Sequence, residues 1–136
     1  MAIEINEKVA QRLHDEQIIW LTTVRADGTP QPTPVWFLWT NNAFLIFTQP
    51  MALKVRNIQA HPTVALNFHT DHYGDNVVVF TGQAHVDPNP VSAEERAAYL
   101  KKYEEGIKMI QMTPESMEQV FSSALRVTPT RVRAGE

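Results

Sequence analysis

Cysteine is absent from the chain, which removes disulfides, thiolate metal ligation and cysteine nucleophiles together. Also missing are the Gly-x-Ser-x-Gly elbow that presents a nucleophilic serine and the two common glycine-rich nucleotide loops, GxxxxGK[ST] and GxGxxG. The serines, Ser92, Ser116, Ser122 and Ser123, fall at helix caps or a helix end, so acyl transfer by serine is set aside. No run approaches the roughly 18 apolar residues of a spanning helix. The acidic N-terminus MAIEINEKVAQRLHDEQ lacks the apolar segment of a secretory signal. A cytoplasmic protein with no membrane partner is the expectation. Basic residues are scarce too, since 12 Lys and Arg against 15 Asp and Glu leave a net charge of −3. Broad nucleic-acid binding needs a strongly basic face, so no nucleic-acid partner is expected; a local basic pocket is compatible with that balance.

What is present is a soluble-type chain of 136 residues, 43% apolar and 20% charged, enough for a single domain with one core. Ile5, Val9 and Leu13 share one face of a helix over 5–16, with Asn6 as its cap. Residues 18–24 (IIWLTTV) are β-branched and aromatic, a strand by composition, and Ala26-Asp27-Gly28 is a turn. Gln31 to Thr40 continues as a strand, but Pro30, Pro32 and Pro34 cannot donate to a ladder, which makes its first half an edge, a bulge or irregular. Asn41-Asn42 closes a hairpin into Phe44–Phe47. A helix over 51–60 follows Pro50 and stops before Pro62. Strands over 64–69 and 76–87 flank a turn. Ser92 and Glu95 form a capping box for a helix running through Ile107, Thr113-Pro114 opens another that reaches about Ser122, and the tail from Ala124 reads as a final strand. The pattern predicts a mainly β fold, a small six-stranded antiparallel barrel with flanking helices.

Val35–Trp39, Phe44–Phe47 and Val77–Phe80 are apolar without alternation, so both of their faces should be covered. With only three or four helices available, a second subunit is the expected cover, and the chain is predicted to be a homodimer.

The best metal candidate is His69-Thr70-Asp71-His72 with Asp75, a turn that gathers two imidazoles and carboxylates; with no second cluster and no HExxH spacing, solvated loop residues are the simpler reading and no metal is expected. His85 and Asp87 share a strand face, with the same simpler reading. Lys54 is more informative. On the 51–60 helix Lys54, Asn57, Ile58 and His61 fall on one face and Arg56 points nearly opposite. Lys54 lies in the first turn, where a cation opposes the helix dipole at a cost of roughly 0.3–1 kcal/mol. An anion bound between the lysine and the free first-turn N–H groups would remove that conflict. A solvated lysine is the competing reading.

These stretches resemble a known family. Leu21-Thr22-Thr23-Val24, Asp27-Gly28-Thr29-Pro30-Gln31-Pro32 and Pro34-Val35-Trp36-Phe37 are followed, in order, by Leu45-Ile46-Phe47-Thr48, Lys54-Val55-Arg56-Asn57-Ile58, His61-Pro62-Thr63-Val64-Ala65-Leu66 and Gly82-Gln83-Ala84. Together they resemble the split β-barrel flavin and deazaflavin proteins related to pyridoxamine 5′-phosphate oxidase, over about residues 10 to 133. The resemblance implies a homodimer with cofactor sites at the subunit interface, the phosphate on Lys54, and the ring along Thr33, Pro34, Val35, Trp36 and Phe37. Phe47 and Thr48 would lie where the next strand meets the phosphate, and Asn57 on the lysine face. FMN-dependent oxidases of the family carry an arginine before the hairpin and an Arg-Lys pair at the helix start. Here Val35–Trp39 holds no cation and Leu53 precedes Lys54. Coenzyme F420 is therefore the favoured cofactor and FMN the alternative. The expected activity is hydride transfer to a small conjugated acceptor, against an FMN-dependent reductase or oxidase and a flavin- or haem-binding carrier or sensor without turnover. No acid-base residue stands out, and the catalytic residues stay unassigned; Tyr73 or His72, in the turn after residue 70, is in a place to protonate product.

Overall fold

The computed structural model describes residues 3–134. Among them, seven strands form one antiparallel sheet: β1 (Ile19–Val24), β2 (Pro30–Val35), β3 (Leu38–Thr40), β4 (Ala43–Thr48), β5 (Thr63–Asn67), β6 (Val78–Val86) and β7 (Ser123–Ala134). Their spatial order is β2-β1-β5-β6-β7-β4-β3. The two outermost strands, β2 and β3, are consecutive in the chain and joined only by Trp36 and Phe37. Three Cα steps reach roughly 11 Å at most, so the sheet has to curl until its edges lie side by side. The result is a mainly β half-barrel with flanking helices. The single strand expected over Gln31–Thr40 is thus two strands on opposite edges, and the strand count is seven rather than six.

The prolines explain the edge. Pro34, Pro32 and Pro30 stand opposite Trp20, Thr22 and Val24 of β1, at alternate positions, where the missing N–H faces the free side of the strand and no ladder bond is lost. The break at Trp36-Phe37 is closed from a distance. The Phe37 N–H donates to the Tyr103 hydroxyl at 2.8 Å, that hydroxyl lies 2.7 Å from the Gln17 carbonyl, and Lys102 Nζ donates to the Phe37 carbonyl at 2.9 Å. Backbone groups that leave a ladder must find such partners.

Inside the curl, Phe37, Phe44, Phe68 and Phe80 pack ring against ring, with Phe44 and Phe80 edge-on at 5.1 Å. Helix α1 (Glu7–Asp15), capped by Asn6 through the Val9 N–H, adds Val9 and Leu13 to this core, and α2 (Leu53–Ala60) adds Val55 and Ile58. A second cluster, Tyr99, Tyr103, Ile107 and Met117, is built from α3 (Ala93–Lys102), α4 (Glu104–Met109) and α5 (Pro114–Val120). It packs on Phe47, which faces away from the core residues Phe44 and Ile46 because β-strand side chains alternate. The second cover over β4 therefore comes from the same chain. β6 alternates within the chain, with Val78 and Phe80 buried and Val79 and Thr81 half-exposed, so its outer face is only partly covered by its own chain.

Two helix details also differ from expectation. The helix expected through Ile107 divides at Tyr103 (φ −106°, ψ 18°), whose side chain is held in the strand break. At the start of α3, Ser92 accepts from the Glu95 N–H at 3.1 Å, but the Glu95 carboxylate does not return to the cap backbone. It receives Arg126 of β7 through two bonds of 2.8 and 2.9 Å and Thr40 at 3.0 Å, while Asp87 takes the Arg126 Nε at 2.9 Å. A reciprocal capping box forms instead at α5, between Thr113 and Ser116. Among the described residues no helix is long and apolar enough to cross a membrane.

Candidate functional site

Helix α2 begins without a conventional cap. Ala52 at the N-cap has no side chain to accept a first-turn N–H, and no acidic residue stands in that turn. The partial positive charge of the helix end is left uncompensated. Lys54 is placed in this same turn. It is half-buried, donates to Thr48 Oγ1 at 3.4 Å, and has no carboxylate within ion-pair distance among the described residues. Burial lowers its pKa from the ordinary lysine value. Arg56 points outward and is exposed.

The buried polar side chains gather here as well. Among the described residues these are Thr23, Thr48 and Asn57. Thr48 meets Lys54, and the Asn57 amide donates to Thr23 Oγ1 at 3.0 Å and to Gln31 Oε1 at 3.3 Å. Asn57 thus ties α2 to β1 and to the start of β2. Polar groups are buried only when something satisfies them, and their concentration at one helix end marks this as the polar corner of the fold.

Two recesses open on either side of Lys54. One, about 350 Å³, is lined by Pro34, Val35, Trp36, Phe47, Thr48 and Lys54, and on its far wall by Ile18, Tyr99, Ile110, Met117 and Phe121. The other, about 180 Å³, is lined by Thr23, Gln31, Pro32, Thr33, Leu53 and Lys54. Together they make a trough, apolar on one side of the Lys54 cation and polar on the other, the usual composition of a small-molecule site. Phe37 lies elsewhere: it has no exposed surface and points into the barrel core. Asn57 lines neither recess and is engaged in the bonds described.

The far wall was not read from the sequence. Tyr99 and Tyr103 on α3 and its C-cap, and Met117 and Phe121 at α5, are each spaced by four, a spacing that puts both members on one helix face; that was the available signal. Trp36 is fixed by this wall. Its ring stacks on Tyr103 at 4.5 Å with 3° between planes, and its edge abuts Gly106, where a Cβ would lie 3.1 Å from Trp36 Cη2. Phe47 meets Tyr99 edge-on at 4.7 Å. Burial raises the Tyr99 pKa, so this phenol keeps its proton.

The His69–Asp75 turn is occupied with its own backbone. The Asp71 carboxylate accepts from the Tyr73 and Asp75 N–H groups at 2.9 and 2.8 Å and from the Asn76 amide, while His69 Nε2 receives the Trp20 indole N–H at 3.3 Å. Among the described residues no three His, Asp or Glu side chains come together in metal-binding geometry. His72 and Tyr73 do not line the trough.

A family model described as "Pyridoxamine 5'-phosphate oxidase" matches residues 5–134. No curated protein matches the sequence. Solved structures with the same fold include the conserved hypothetical protein Rv2991 from Mycobacterium tuberculosis, 19% identical, covering 99% of this chain and 86% of that one with a TM-score of 0.76. HutZ, the haem storage protein from Vibrio cholerae, is 16% identical, covering 99% and 96% with a TM-score of 0.73. An F420 reductase is 25% identical, covering 95% and 98% with a TM-score of 0.70.

Proposed function

Because this chain belongs to the pyridoxamine 5′-phosphate oxidase family, we propose that the trough holds a flavin-type cofactor, with coenzyme F420 favoured over FMN, and that the protein is an oxidoreductase passing a hydride to a small conjugated acceptor. The observation that carries this reading is Lys54: a half-buried cation without a carboxylate partner among the described residues, at an uncapped helix start, between an apolar recess and a polar one. A phosphate answers all of these at once, by accepting from Nζ and from first-turn N–H groups and by complementing the dipole.

The residues present fit such a group. Lys54 and the α2 N-terminus would take the phosphate, with Thr48 beside them. Pro34, Val35 and Trp36 would lie along one side of the ring and Phe47 along another. Hydride transfer is the chemistry the cofactor supplies; the protein's part is to position it and keep water out. Trp36, locked on Tyr103, is suited to the positioning, and Tyr99, Met117 and Phe121 to the exclusion of water. The F420 reductase of 25% identity and the absence of a cation in Val35–Trp39 favour the deazaflavin. A haem carrier is less well supported. Haem iron takes His, Cys, Met or Tyr ligands, and the residues lining the large recess include no histidine, only Met117 and a protonated Tyr99. Two copies of the chain are part of the proposal, since the trough is open and the apolar residues Ile110 and Val120 remain exposed at α4 and α5.

Titration of the protein with F420 and with FMN, followed by cofactor fluorescence, tests the reading. Saturable binding of F420 that is tighter than that of FMN supports it. Binding of neither, with a Soret band on adding haem, would overturn it.

A further inference from the structure

A larger cavity, about 560 Å³, lies apart from the trough, between α1, β3 and α3. Its lining shares no residue with either trough recess. Leu13, Leu38 and Trp39 give it apolar walls, His14 and Asp15 stand on the α1 side, and Lys102 comes from α3. The Lys102 amine is the unusual group. It is half-buried, sits 3.7 Å from the centroid of the Phe37 ring, and donates to the Phe37 carbonyl at 2.9 Å. Among the described residues it has no carboxylate within ion-pair distance. A neutral carbonyl orients an amine without holding its proton as a carboxylate does. The same side chain lines the cavity, so a molecule held there lies beside the amine.

We propose that this cavity is a second small-molecule site, in which the Lys102 amine condenses with a small aldehyde or ketone. The step balances without an oxidant. The nitrogen lone pair forms the N–C bond, the C=O bond breaks, and the oxygen leaves as water with the two amine hydrogens, giving an imine. Loss of those hydrogens takes a donor from the Phe37 carbonyl, but the Tyr103 hydroxyl is already 2.9 Å from that oxygen and can turn its proton to it. His14, whose Nδ1 lies 2.9 Å from Asp15 Oδ1, stands on the α1 side of the same cavity. Burial holds the Lys102 pKa down to about 8, against the opposing charges of Asp15 and Glu16 on α1; Lys101 and His14 line the same cavity. Near pH 8 the neutral fraction is on the order of a hundredfold above that of an exposed lysine, the condition that makes a desolvated lysine a nucleophile.

The test is reductive trapping. The intact protein is incubated with limiting benzaldehyde and cyanoborohydride from pH 6.5 to 9.5, and each lysine peptide is quantified by mass. Lys102 is expected to label at least about tenfold faster than the exposed Lys8, Lys101 and Lys108, with a rate that rises with pH and levels above pH 8. Ala10→Phe, which fills the cavity from its exposed α1 rim and leaves the helix that carries Lys102 unchanged, should return Lys102 to the rate of Lys101. If Lys102 labels no faster than Lys101 in the wild type, or if Ala10→Phe leaves its rate unchanged, the site is refuted.

Discussion

The Phe37 N–H donates to the Tyr103 hydroxyl at 2.8 Å across 66 residues of sequence. One phenol thereby holds the junction between the first and last strands of the sheet and, through its ring, the stacking face of Trp36. Tyr103→Phe keeps that stack and removes the acceptor, leaving a buried N–H without a partner. The expected loss is about 1–3 kcal/mol of stability, read as a lower urea midpoint with an unchanged slope. A variant as stable as wild type would mean the junction does not need the hydroxyl.

Gly106 offers a second, opposed expectation. On helix propensity alone Gly106→Ala should stabilise α4 by up to about 1 kcal/mol. The added Cβ would lie 3.1 Å from Trp36 Cη2 and 3.2 Å from Cζ2, so the indole has to move toward the trough. No stability gain and a weaker cofactor affinity are expected, with Trp36→Phe in the same chain restoring part of that affinity. Thermal unfolding and fluorescence titration measure the two effects separately.

The pairing of Glu95 with Arg126 predicts a specific acid sensitivity. Arg126, followed by Thr40, holds the Glu95 carboxyl at about 2, below its ordinary 4.5. The folded value lies under the unfolded one, so the unfolded chain takes up more protons as pH falls between them. The stabilisation is therefore complete above about pH 4.5 and lost toward pH 2, by an amount on the order of 2–3 kcal/mol for so enclosed a pair. Denaturant curves at pH 7, 4 and 2.5 should show this loss in wild type and a markedly smaller loss in Glu95→Gln. Parallel pH profiles for the two proteins would contradict the assignment.

Self-association follows from the proposed function. Sedimentation at micromolar concentration should give about twice the 15.5 kDa chain mass. A single species at the chain mass would leave the trough open to solvent on one side and remove the two-copy arrangement.

How much could be read in advance depended on how local each feature is. Asn6, Asn41-Asn42 and Thr113-Pro114 act on their own neighbours, and the helices and turns they mark stand where the residues placed them, whereas α2 starts at Leu53, two residues later than the start expected after Pro50. The placement of Lys54 in the first turn of α2 was legible for the same reason, since its conflict with the helix dipole is contained within one turn. The split of Gln31–Thr40 was not, because the partners that end β2 at Val35 are Tyr103 and Lys102, far along the chain. Glu95 illustrates the same limit: its spacing from Ser92 fits a capping box, yet Arg126 on β7 outcompetes the cap backbone for the carboxylate. The far wall of the trough, from Tyr99 to Phe121, exists only once three short helices have packed on Phe47.

The most direct measurement is the dissociation constant of F420 and of FMN for wild type and Lys54→Ala, by fluorescence at low and moderate salt. Loss of a charge-assisted contact to a phosphate should weaken the bound cofactor by roughly 10- to 100-fold, with Lys54→Arg recovering part of the affinity and the wild-type constant rising with salt. Equal affinities for wild type and Lys54→Ala would contradict the assignment of Lys54 as the phosphate site.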